Sequence, residues 1–114
     1  MKCLIIKKRW LDLIFAGRKS WELRGSRTAV RGKIGLIEKG SGKIMGTCEV
    51  VDVKGPLTLA ELKRATRKHG VPVRELGEIE LYKNTFAWVL DNAQRYAKPK
   101  PYKHPSGAVI WVNL

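Results

Sequence analysis

The chain has 114 residues, 44% of them apolar and 29% charged, with 23 Lys and Arg against 10 Asp and Glu and a formal net charge of +13 at pH 7. That length and apolar content suit one domain, residues 1–114, with a core that needs no disulfide or metal staple, and exclude a disordered chain. No apolar run approaches the roughly 18 residues of a membrane span, and the start "MKCLIIKKRW" has no small-residue cleavage site, so neither a membrane anchor nor a secretory signal is expected and a cytoplasmic protein is the default.

"KCLIIKK", Lys2 to Lys8, reads as a strand. From Arg9 to Gly17 the period changes: Trp10, Leu11, Ile14 and Phe15 fall on one face of a short helix, with Gly17 as its stop. A second strand is expected over Lys19 to Arg24, then a loop between Gly25 and Gly32. "KIGLIEKG" and "KIMGTCEVVDV" form a hairpin around Gly40 to Gly42. In the second strand Ile44, Gly46, Cys48 and Val50 alternate on one face before Val51 and Val53 take over, a phase slip that predicts a bulge near Val50.

The clearest helix is "GPLTLAELKRATRKHG", with a Thr58–Glu61 capping box and Gly70 after a basic last turn. Residues 71–84 stay ambiguous, because Pro72 and Gly77 argue against one continuous element. "TFAWVLDN" and "GAVIWVNL" read as strands, and "AKPKPYKHPSG" between them as a proline-rich loop that cannot join a central strand. The order predicts an α+β domain on a small, strongly bent sheet or barrel.

Charge narrows the partners. Residues 1–35 hold ten Lys or Arg against Asp12 and Glu22; from Asn92 onward there are Arg95, Lys98, Lys100 and Lys103 and no acid. If both ends meet in the fold they make one basic face for a polyanion. Cys3 and Cys48 sit in apolar runs as small hydrophobes, and His69 and His104 are isolated, so no metal site is expected.

The most informative stretch is "GRKSWELR", Gly17 to Arg24. Strand alternation sends Trp21 and Leu23 into the core and Ser20, Glu22 and Arg24 to the opposite face, with Lys19 at the start of the strand folding back toward them. Glu22 then orients Lys19 or Arg24 by charge-assisted hydrogen bonds, leaving an exposed cationic pair for a phosphate or a carbonyl. The plainer reading is a surface ion pair worth about 0–1 kcal/mol.

The stretch resembles the signature of the ASCH domain family, Gly-x-Lys-x-x-Glu-x-Arg, here Gly17, Lys19, Glu22 and Arg24, standing after a first strand and short helix. The hairpin "GKIGLIEKGSGKIMGTCEV" and the strands "FAWVL" and "GAVIWVNL" are similar to the family's as well. The resemblance implies a PUA-like fold, a small β-barrel with flanking short helices, and a nucleic-acid role with the motif lining a cleft at the barrel mouth.

The readings that follow place RNA first among partners, DNA second, and a nucleoside third. Lys19, Glu22 and Arg24 form the centre; Trp10 and Tyr102 are stacking candidates, and Arg27, Lys100, Lys103 and Ser106 are contacts for the strand. Trp88 and Trp111 belong to the core, while His104 is either solvated or an acid–base group. A second reading is a hydrolase acting on RNA or on N4-acetylcytidine, Lys19 polarising a carbonyl and Glu22 activating water. Against the amidohydrolase, the subgroup with that activity carries threonine where this chain has Glu22, and its further glutamate has no clear match among Glu75, Glu78 and Glu80. A third is a protein-interaction module of the transcription-coactivator type. No cofactor is implied, and the sequence sets no oligomeric state.

Overall fold

A computed structural model describes residues 1–79 and 84–114. Its strands are β1 (Lys2–Ile6), β2 (Trp21–Arg24), β3 (Gly32–Glu38), β4 (Lys43–Lys54), β5 (Phe86–Pro101) and β6 (Trp111–Asn113). The helices are α1 (Lys8–Phe15), α2 (Leu59–Arg64), α3 (Thr66–His69) and α4 (Leu76–Ile79), with a 3-10 turn at Val73–Glu75. The strands form one curled sheet in the order β2-β5-β4-β3-β1-β6, a half-barrel carrying short helices. All neighbours are antiparallel except β1 and β3, which run parallel because α1 and β2 intervene between them.

The curl comes from register shifts. The β4–β5 ladder slips between Ile44 and Gly46, between Thr47 and Glu49, and between Val50 and Asp52, and β3–β4 slips between Leu36 and Ile37. The bulge expected near Val50 is there, with two further slips in the same pair of strands and one between β3 and β4. The concave side holds the main core of Leu4, Ile6, Ile34, Leu36, Cys48, Val50, Trp88 and Leu90, capped by Leu11 and Ile14 of α1. A second cluster joins Trp21, Leu23 and Ala87 to Leu62, Val71 and Leu76 of the helical segment.

Three expectations change. Residues 97–101, read as loop, continue β5: Pro101 pairs with Lys43 and Lys100 with Ile44. Proline is tolerated there because β2 pairs only with Phe86 to Val89, so the far half of β5 is an edge and needs no donor on that side. The helix read over 55–70 is two pieces that break at Ala65, although its capping box and its left-handed Gly70 cap are in place. The last strand is only Trp111–Asn113; Ala108, Val109 and Ile110 lie outside it.

Both cysteines are buried, and burial pushes the Cys48 thiol up to about 12. Among the described residues no helix is long and apolar enough to cross a membrane. The chain ends adjoin, since β6 pairs with β1, with Lys2 beside Asn113. The cations from Arg95 onward instead follow β5 and the turn after it, so the two basic segments are not one strand pair.

Candidate nucleic-acid interface

The site is built where α1 hands over to β2. Gly17 takes a left-handed φ of 76°, and the amides of Gly17 and Arg18 return to the carbonyls of Ile14 and Leu13, closing the helix. Ser20 N–H then donates to the Lys68 carbonyl, and the Ser20 carbonyl accepts from Leu90 N–H, so the segment is clamped between α3 and β5. This clamp drives Lys19 inward.

Lys19 is therefore not half of the exposed cationic pair expected from a lysine folding back at the strand entry; it is 4% exposed. Its Nζ donates to the Trp21 carbonyl at 2.7 Å and to the His69 carbonyl at 2.6 Å, and lies 3.5 Å from Glu22 Oε1. Three acceptors match the three protons of an ammonium. The same nitrogen sits 5.1 Å from the centre of the Trp10 ring. Burial pushes the Lys19 pKa down, against which Glu22 works to hold the charge.

Glu22 is also buried, at 5% exposure, so both faces of β2 are covered. The helical segment covers Trp21 and Leu23, and the Lys19 and Arg24 side chains close over Glu22. Glu22 Oε2 accepts from Arg24 Nε at 3.1 Å and from Nη2 at 2.8 Å. Arg24 Nη2 also donates to the Ile5 carbonyl on β1 at 2.9 Å, and its guanidinium lies 5.5 Å from the Trp88 ring. Arg24 thus laces β2 to β1 across the open seam of the half-barrel. Lys19, Glu22 and Arg24 are one ordered row, two cations about one carboxylate, in place of an exposed cationic pair.

This row lines a cleft of about 220 Å³. Trp10, Lys7 and Lys39 stand on its walls, and Ile5, Leu23, Val71 and Val109 supply the apolar surface. The cleft joins residues from α1, β1, β2 and the β3–β4 turn that are far apart in sequence. Beside it is a second hollow, of about 470 Å³, with Tyr102 and His104 on its wall.

The remaining predicted residues divide. Trp10 is in the cleft and Tyr102 is in the second hollow. Arg27 lines neither; it donates to the Gly55 carbonyl and covers Phe86. Lys100 sits over the Tyr96 ring on β5, and Lys103 and Ser106 are exposed and line neither cavity. Trp88 is buried and stacks on Trp111 with 5.8 Å between ring centres, as core residues should. Glu75 pairs with Arg9 and does not reach the cleft; Glu80, Tyr82 and the Glu78 side chain lie outside the described residues.

Sequence reasoning missed Lys7, Lys39 and His69. Lys7 and Lys39 join the cleft only because the Lys39 amide donates to the Ile6 carbonyl as β3 runs alongside β1, a pairing no local pattern encodes. His69, with 0% exposure, has both ring nitrogens occupied: Nδ1 accepts from Val71 N–H at 2.9 Å, so Nε2–H donates to the Leu62 carbonyl at 2.7 Å. The apolar spacing of that helix offered a weak signal for burial and none for this role.

A family model described as the ASCH domain matches residues 4–100. The crystal structure of ASCH from Zymomonas mobilis superposes with a TM-score of 0.72 at 14% identity, covering 88% of this chain and 72% of that one. A Tyr→Phe mutant of the Zymomonas mobilis protein gives 0.70 at 16% identity, covering 88% and 74%. A Ser→Ala mutant gives 0.69 at 15%, covering 98% and 87%. At these identities the likeness is one of fold. A comparison with curated proteins finds no match.

Proposed function

The chain belongs to the ASCH domain family, and from that premise we propose that it binds single-stranded RNA, with one nucleotide seated in the cleft at the open seam of the half-barrel. Members of the family are thought to bind RNA. The observation that carries the reading is the convergence of Lys7, Lys39, Trp10 and the Lys19–Glu22–Arg24 row on one cavity in a chain of net charge +13. Exposed lysines attract phosphate, Trp10 offers an aromatic face, and the buried row presents fixed polar groups to a base edge. A splayed-out base fits a cleft of about 220 Å³ better than a duplex does. The Lys19 ammonium is already committed to two carbonyls and Glu22, so its role is to position Glu22 and the β2 backbone.

Fluorescence anisotropy with a labelled single-stranded RNA tests this. Lys7→Ala/Lys39→Ala is expected to weaken binding by on the order of tenfold or more, whereas Lys33→Ala/Lys98→Ala, with the same charge change on exposed positions away from the cleft, costs about threefold or less. Equal losses in the two double variants would remove the cleft as the binding site. Single-stranded DNA as competitor settles the RNA-over-DNA preference.

One observation supports a second reading, a hydrolase acting on RNA or a modified nucleoside: Glu22 is a buried carboxylate on the wall of a cavity. In that reading Glu22 activates water. Glu22→Gln then abolishes turnover of RNA or N4-acetylcytidine while RNA binding persists; turnover equal to that of the parent protein excludes Glu22 as the base.

A further inference from the structure

The second hollow shares Ile5, Lys39 and Val109 with the cleft, so the two form adjoining compartments of one surface. Its own wall differs in kind. Tyr102 is half-buried, and its ring lies 5.7 Å from that of His104 at an angle of 59°. Tyr102 is held at both ends: its amide donates to the Gly42 carbonyl at 3.1 Å and its hydroxyl donates to His104 Nδ1 at 2.7 Å. His104 Nε2–H in turn donates to the Ala108 carbonyl at 2.8 Å, which fixes the ring tautomer and completes a chain from the β3–β4 turn to the loop before β6. Gly40 and Gly42 take φ values of 79° and 69° and contribute no side chain, which leaves that side of the hollow open.

Among the described residues on this wall, Lys39 is the one lysine or arginine, and it stands at the border with the cleft. A pocket for a free polyphosphate gathers several cations; this one offers an oriented aromatic ring, aliphatic surface from Ile5, Ala108 and Val109, and a single cation at its edge. Such walls suit a flat, uncharged ring linked to a phosphate at the border. A nucleic-acid strand supplies that order, base, phosphate, base, and the two compartments repeat it.

We infer that the hollow beside Tyr102 seats the base adjacent to the one in the cleft, with the linking phosphate on Lys39, so that the recognised unit is a dinucleotide step of single-stranded RNA. The inference rests on the reading of the cleft as a nucleotide site. Tyr102 supplies the stacking face, and His104 holds that face in position.

Calorimetric titration of the four ribonucleoside monophosphates and their four homodinucleotides tests both levels separately. For at least one base the dinucleotide is expected to bind about tenfold or more tightly than the mononucleotide, the scale of one added base–aromatic stack. Tyr102→Leu, which fills the space without an aromatic ring, is expected to abolish that gain and leave mononucleotide affinity within about twofold; Tyr102→Phe keeps the gain. Circular dichroism establishes that each variant is folded, and NMR shifts of the parent Ala108 methyl group, moved by dinucleotide and not by mononucleotide, locate the second base without a substitution. Mononucleotide binding without a dinucleotide gain, or a gain that survives Tyr102→Leu, overturns the inference and leaves the cleft reading intact. No binding of either ligand, or of longer RNA, overturns both.

Discussion

Lys19 shows how far a buried cation differs from the surface lysines around it. All three of its protons have acceptors within the chain, so Lys19→Ala strands the Trp21 and His69 carbonyls and leaves Glu22 with Arg24 alone. We expect a loss of about 2–4 kcal/mol in unfolding free energy by urea titration, where an exposed lysine such as Lys98 changes it by less than about 0.5 kcal/mol. A Lys19→Ala protein as stable as its parent would mean that the row does not support the fold. His69 carries the pH dependence. Burial, together with the nearby Lys19 charge, pushes its pKa below the ordinary value, opposed by the Leu62 carbonyl that accepts from it. Between the unfolded value of about 6.5 and the lower native one, the unfolded chain binds the extra proton, so stability falls as pH falls through that window, by up to about 1.4 kcal/mol per pH unit. Asp12 and Glu75, whose pKa values Lys8 and Arg9 hold down, add their own loss only at more acidic pH. Unfolding measured at pH 8 and near pH 5.5 should show the slope, and His69→Gln should flatten it; a slope unchanged in that variant assigns it to another group.

At the scale of the element, the β4–β5 ribbon decides the curvature, and Gly46 is its tightest point. A Cβ there would lie 2.2 Å from the Gln94 carbonyl oxygen and 2.8 Å from two ring atoms of Phe15. The glycine sits beside the first register shift and lets α1 rest directly on the strand. Gly46→Ala must move backbone or displace Phe15, and we expect it to destabilise by at least about 2 kcal/mol. Gly77 gives the contrast: it lies in α4, with nothing within 4 Å of where its Cβ would stand. Gly77→Ala should be neutral or stabilise by up to about 1 kcal/mol through the unfolded chain and helix propensity. Thermal melts of the two variants should shift in opposite directions, or at Gly77 not at all; parallel losses would place the constraint in backbone conformation generally, not in the Phe15 contact.

At the scale of the whole molecule, the proposed RNA binding would have the field of +13 set the approach of the strand and the cleft set where it stops. With 23 Lys and Arg against 10 Asp and Glu, phosphate neutralisation should dominate affinity. The logarithm of the binding constant for single-stranded RNA is expected to fall linearly with the logarithm of salt concentration, with a slope corresponding to about 4–6 phosphates. Affinity insensitive to salt would show that the surface charge serves solubility alone.

Elements with a local cause were legible without the fold: β1 from its β-branched run, the α1 stop at Gly17, the Thr58–Glu61 box, and the bulge betrayed by the phase slip at Val50. The pairing of Glu22 and Arg24, two residues apart, was legible too. The burial of Lys19 and Glu22 was not, because strand alternation distinguishes two faces but not whether both are covered. Coverage came from the helical segment after β4 on one side and from the Lys19 and Arg24 side chains around Glu22 on the other. Prolines in β5 likewise misled until the sheet order showed which half of that strand has an edge. The sequence by itself determined the charge, the local elements and the residue types of the candidate site. Only the tertiary structure decided that Lys7 and Lys39 border the Lys19–Glu22–Arg24 row and that Tyr102 lines the hollow beside it, since that neighbourhood depends on the parallel β1–β3 pairing and the return of the chain after β5, contacts made between segments distant in sequence.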